Sequence, residues 1–98
     1  MIYKNPYYRK VKGSFILLVS CGYCKTPIAK YQKVGKGNLL NLHIDRVIES
    51  SIDLSQDPNV LSCPNCNAEL GRRMFLQRRD KEVFKMIRST FNTKRIER

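Results

Sequence analysis

Tryptophan is absent from this chain of 98 residues, and histidine occurs once. Five tyrosines and four phenylalanines are therefore the only large aromatic anchors for a core or a binding face. No apolar run approaches the roughly eighteen residues that a membrane-crossing helix needs. No acidic residue occurs among residues 1–37, which hold eight Lys and Arg. A single histidine, no paired-carboxylate motif and no cysteine outside two close pairs leave few groups for acid–base or nucleophilic chemistry. These absences predict a protein that binds and does not catalyse.

What is present is positive charge. The formal net charge is +11, from 19 Lys and Arg against 8 Asp and Glu. Residues 38–66 are acidic, with Arg46 facing Asp45, Glu49, Asp53 and Asp57. Residues 67–98 return to basic, ten cations against four anions. A field of that sign attracts polyanions, nucleic acid first and anionic membrane surface second. Solubility alone is the simpler use of the same charge.

Four cysteines form CGYC at Cys21 and Cys24 and CPNC at Cys63 and Cys66, with 38 residues between the pairs. Two-residue spacing lets both thiolates of a tight turn reach one ion, and two such turns make a closed tetrahedral site. Pro64 suits the second turn, and Asn67 just after it tolerates a left-handed backbone; Lys25, at the matching place in the first, suits it less. Two disulfides in an oxidising compartment are the competing use, and a redox pair would leave the other two thiols idle. Four thiolates suit zinc or a single iron. CGYC and CPNC resemble the cysteine loops of rubredoxins, but those proteins are acidic and rich in packed aromatics, so zinc, one per chain, is the expected cofactor.

The segment SFILLVSC before the first pair, after a basic start, has the look of an export signal. Its unbroken apolar run is only Phe15 to Val19, shorter than the roughly 7–15 residues of a signal core. Cleavage before Cys21 would also take that residue out of the four-ligand site. The stretch reads as a strand delivering Cys21 to metal, and the expected location is cytoplasmic.

The expected fold is mainly β within an α+β class: one domain over 1–98, a small antiparallel zinc-bearing β core at 14–77 and a C-terminal α-helix. Residues 1–12 form a basic arm or edge strand. The first strand is Ser14–Ser20, and Ile28–Val34 pairs with Asn38–Ile44 as a hairpin about the Gly35–Gly37 turn, with Leu40, Leu42 and Ile44 on one face. His43 falls on the solvent side of that strand. Val60–Leu61 enters the second cysteine turn and Glu69–Gln77 leaves it. Asp80 caps a helix over 80–92, with Phe84, Ile87 and Phe91 at i, i+3 and i+7 on one face, and 93–98 is a frayed tail.

Common zinc ribbons space their pairs about 15–20 residues apart. The longer spacing here, with Leu70-Gly71 after the second pair, resembles the Yippee-type or β-tent domains over residues 14–77. That resemblance implies two antiparallel sheets meeting near zinc held by Cys21, Cys24, Cys63 and Cys66. Ligand-caging members of this architecture use tryptophans, and methionine sulfoxide reductase members use a further cysteine. This chain has neither.

The leading functional expectation is a non-enzymatic, zinc-stabilised basic domain binding nucleic acid mainly through the phosphate backbone. Its candidate surface is Lys4, Arg9, Lys10, Lys12, Arg72, Arg73, Arg78, Arg79, Lys81, Lys85 and Arg88, with Tyr3, Tyr7 and Tyr8 placed to stack on bases. The alternative is a protein-interaction or oligomerisation module using Phe84, Ile87 and Phe91 of the C-terminal helix. An iron electron carrier is the third reading.

Overall fold

The computed structural model describes residues 1–78 and 80–97, the last of these by its backbone only. Among them there is no α-helix: nine strands form two antiparallel sheets, with short 3-10 turns at Ile44–Arg46 and Leu54–Gln56. The first sheet contains β1 (Tyr3–Lys4), β2 (Phe15–Cys21), β3 (Pro27–Lys33), β5 (Val47–Ser50) and β9 (Phe91–Glu97), in the order β1-β5-β3-β2-β9. The second contains β4 (Asn41–His43), β6 (Val60–Ser62), β7 (Glu69–Leu76) and β8 (Lys81–Met86), in the order β4-β8-β7-β6.

Each sheet is built around one cysteine turn. The first pair spans the end of β2 and its connection to β3, the second lies in the connection from β6 to β7, and both strand pairs are antiparallel neighbours. Both hairpins slip in register just ahead of their first cysteine, at Val19/Ser20 and at Leu61/Ser62. Such irregularities bend a strand and re-aim its end. Val19, Ile28, Tyr31 and Val47 of the first sheet then pack with Leu42, Leu61, Leu70 and Phe84 of the second in a single core.

The expected C-terminal helix is not there. Residues 81–86 are β8, hydrogen-bonded between β4 and β7, and residues 91–97 are β9, antiparallel to β2. The spacing of Phe84, Ile87 and Phe91 fits a helical face, but Ser89 between them has φ of 68°, which an α-helix cannot contain. Val83, Phe84 and Met86 are all buried, so β8 shows no clean alternation that would mark it as a strand. Asp80, expected as a helix cap, instead takes φ of 51° in the turn joining β7 to β8. The expected tail is the ordered strand β9 as far as Glu97, and Arg98 lies outside the described residues.

The Ile28–Val34 and Asn38–Ile44 hairpin is also corrected. β3 is flanked by β2 and β5, and β4 lies at the edge of the other sheet beside β8. Residues 34–40 thus cross between sheets. Gly35 and Gly37 have φ of 84° and 103°, so the turn expected there serves the crossover. Leu39 and Leu42 are buried while Leu40 is 67% exposed, and His43, expected in solvent, is buried too. Its backbone N–H donates to the buried Tyr31 hydroxyl at 3.0 Å.

The N-terminal arm is an edge strand only at Tyr3–Lys4, paired with β5. Beyond that it is tied down by side chains. Asn5 Nδ2 donates to the carbonyls of Ile44 and Val47. The buried Gln32 donates to the Arg9 carbonyl at 2.9 Å and accepts from the Val11 N–H at 2.6 Å.

Candidate metal centre

The two cysteine turns have the same backbone. Lys25 N–H donates to the Cys21 carbonyl at 3.0 Å, and Asn67 N–H to the Cys63 carbonyl at 2.9 Å. Cys21 N–H closes the first turn on the Thr26 carbonyl and Cys63 N–H the second on that of Ala68, both at 2.9 Å. Gly22 lets the chain between β8 and β9 lie on the first turn. Its N–H donates to the Thr90 carbonyl at 2.8 Å, and a Cβ there would come within 2.9 Å of Thr90 backbone atoms.

The four sulfurs converge. All lie within 4.8 Å of one another, with Cys21 Sγ 3.6 Å from Cys66 Sγ and Cys24 Sγ 3.5 Å from Cys63 Sγ. Tetrahedral zinc at about 2.3 Å from each thiolate sets sulfurs roughly 3.8 Å apart, so the cluster is of the right size. A disulfide needs about 2.05 Å, and all four cysteines are free. Both of these pairs join one turn to the other, which is what a shared ion requires. Cys21, Cys24, Cys63 and Cys66 are thus positioned to bind a metal ion.

The surroundings favour ionised sulfur unevenly. Asn65, then the Thr26 hydroxyl and backbone, draw the Cys24 thiol down to about 5. The backbone of Cys24, opposed by burial, lowers Cys21. At Cys66 the Ala68 backbone favours the thiolate, but burial and the three neighbouring sulfurs outweigh it and push the thiol up to about 12. Four negative charges cannot share so small a space alone, and a bound cation turns their repulsion into attraction. Asn65 N–H also points at Cys63 Sγ, at 3.4 Å.

The candidate cations divide into groups. Arg73 is spent internally: its side chain is 16% exposed, it pairs with Asp57 and Glu82, and it lies over the Phe84 ring. Arg72 pairs with Glu69, and Lys81 with Asp45. Lys4, Arg9, Lys10, Lys12, Arg78, Lys85 and Arg88 are exposed and take part in none of the ion pairs among the described residues. Arg72 and Lys85 stand opposite each other on β7 and β8, so they share a face. Lys4 lies on β1 at an edge of the first sheet, and the Arg9 to Lys12 stretch is bonded to Gln32 of β3, so the arm's cations belong to the first sheet and not to that face. Arg79 lies outside the described residues. Tyr7 is exposed, while Tyr3 and Tyr8 are half-buried.

The candidate surface read from the sequence passed over several cations, Lys33 and two on the last strand among them. Lys94 and Arg95 sit on β9, and Arg95 lies 4.3 Å from the centroid of the Phe15 ring. Their only sequence signal was the alternation Phe91, Thr93, Arg95, short enough to pass for a tail. Phe84, an interface residue in the alternative reading, is fully buried in the chain's own core; Ile87 and Phe91 are half-buried. No helix among the described residues is long and apolar enough to cross a membrane.

Comparison of the chain with protein-family models, curated proteins and solved structures finds no match to any of them.

Proposed function

We propose that this chain is a zinc-stabilised binding domain of β-tent type whose partner is nucleic acid, held mainly through its phosphates. One observation carries the partner: the ion pairs among the described residues hold Arg72, Arg73, Lys81 and Lys30, and none of them holds Arg78, Lys85, Arg88 or the arm's cations. Unpaired surface cations destabilise a compact chain through mutual repulsion, and a polyanion relieves it. Two antiparallel sheets that each contribute one cysteine turn to a common ion support the β-tent reading. Zinc is preferred to iron because the chain is basic and has no tryptophan packing. Four free thiols suit a reducing compartment, and we place the protein in the cytoplasm.

The reading is of a binding protein, since the metal's four positions are all filled by cysteine and leave none for substrate. Oligomerisation through an amphipathic helix has lost its helix and is not retained.

The test is binding of random-sequence DNA and RNA across a salt series. Each phosphate contact should add about 0.9 to the slope of log affinity against log salt for duplex DNA. Changing Arg72, Arg78, Lys85 and Arg88 to Glu should weaken unrelated sequences equally and flatten that slope, with metal content unchanged. No binding by the parent at low salt, or unaltered affinity in the variant, would remove this function.

A further inference from the structure

A cavity of about 580 Å³ opens between the first sheet and the 34–40 crossover. Its walls include Phe15 and Leu17 of β2, Phe91 of β9, Leu39 and Met86. That volume is in the range of small-molecule sites, and the lining mixes apolar walls with polar and cationic side chains. Its charge is one-sided. Lys33 and Arg88 line it, and none of its described lining residues is acidic.

Arg95 does not line the cavity itself but stacks on Phe15, which does. Register places it opposite Leu17, on the face of the sheet that also carries Phe15, and its guanidinium lies over the Phe15 ring at 4.3 Å. Thr93 and Phe91 continue that face along β9 into the cavity. Two phenyl rings and aliphatic side chains thus form a pocket lined by Lys33 and Arg88, with Arg95 beside it on the Phe15 ring.

We infer that this cavity seats one unstacked base of a single-stranded nucleic acid, with the adjoining phosphates taken by Lys33, Arg88 and Arg95. The inference rests on the nucleic-acid reading and narrows it. Aromatic walls stack on any base, and cations beside them track the backbone, so the site would be tolerant of sequence. Three cations exceed what one carboxylate needs and match the phosphates on either side of a base. A duplex keeps its bases stacked and paired and could not enter without extruding one.

Thr93 is exposed and lines the cavity, so Thr93→Trp fills the space without removing a core side chain. Fluorescence anisotropy at one low salt concentration would compare a labelled twelve-nucleotide oligo-dT with a duplex of equal length. The metal-loaded protein should prefer the single strand. Thr93→Trp should weaken single-strand binding about tenfold, the scale of one lost stacking contact, and leave duplex binding unchanged. Arg95→Gln alters only an exposed side chain and should likewise weaken the single strand more than the duplex, which keeps the test valid should Thr93→Trp misfold. Equal affinity for both forms, or a single-strand preference that survives both changes, overturns the cavity site and leaves phosphate binding standing. Failure of both probes to bind at low salt overturns the two readings together.

Discussion

Lys25 and Asn67 are the same residue of one turn built twice, with φ of 66° and 64° and matching N–H bonds to Cys21 and Cys63. The left-handed backbone suits asparagine and is unfavourable for lysine. Lys25 Nζ returns only a long hydrogen bond, 3.3 Å, to the Gly22 carbonyl. Lys25→Gly should therefore raise stability by about 1 kcal/mol, and Asn67→Ala lower it by about as much. Denaturant midpoints at constant slope would measure both. A loss of stability in Lys25→Gly would mean the lysine charge beside the thiolates outweighs the backbone strain.

The metal should bind one per chain, and its removal should unfold the protein. Zinc in four-cysteine sites contributes on the order of 10 kcal/mol to folding, more than a domain of this size can lose. Cys63→Ser removes a buried ligand and should abolish cooperative melting along with metal content. A chelated, metal-free protein that still melts at the parent temperature would count decisively against the site's structural role.

Phe84→Ala should cost about 3–5 kcal/mol, because the side chain is fully buried between the sheets. Its burial was legible in the sequence, but its secondary structure was not. Three hydrophobic residues at helical spacing are also what two strands and an intervening turn supply when β8 buries adjacent residues, Val83 and Phe84, on its two faces. The cysteine site was legible because metal chemistry fixes its spacing locally, through two five-residue turns. Strands β2, β6 and β7 were legible for the same reason, since each abuts a turn. β4 was legible as a strand but its partner was not, because pairing it with β8 in place of β3 depends on contacts forty or more residues apart in sequence. Arg73 was misjudged as surface because only the register beside Phe84 and Glu82 shows where it goes.

Alkaline pH should destabilise the fold through Tyr31. Burial raises its phenol above the ordinary value of 10.0, outweighing the His43 N–H and the Arg46 charge that favour the phenolate. The folded state then holds a proton that the unfolded state has lost. Stability is fully present below about pH 10 and falls as pH climbs from there through the folded-state pKa. Urea unfolding at pH 8 to 11 should show this decline, and Tyr31→Phe should make it shallower. The variant will also start lower, since it leaves the His43 N–H without its acceptor. Parallel declines in the two proteins would assign the alkaline loss to other groups.

Arg73 and Lys85 should separate fold from binding. Arg73 is enclosed by Asp57, Glu82 and Phe84, with ion-pair distances of 3.5 and 3.3 Å, and its Nε is buried without a partner among the described residues. Arg73→Gln strands two carboxylates that are themselves largely exposed, so the loss should be about 1–2 kcal/mol, well below that of a fully buried pair. Lys85 is exposed on β8 opposite Arg72, and Lys85→Gln should change stability by less than about 0.5 kcal/mol. Nucleic-acid affinity should respond in the opposite order, falling in Lys85→Gln and holding in Arg73→Gln once the protein is folded. The reverse pattern, with Arg73 governing affinity, would place the phosphate-binding surface on the inner side of the second sheet, where Arg73 and Phe84 meet.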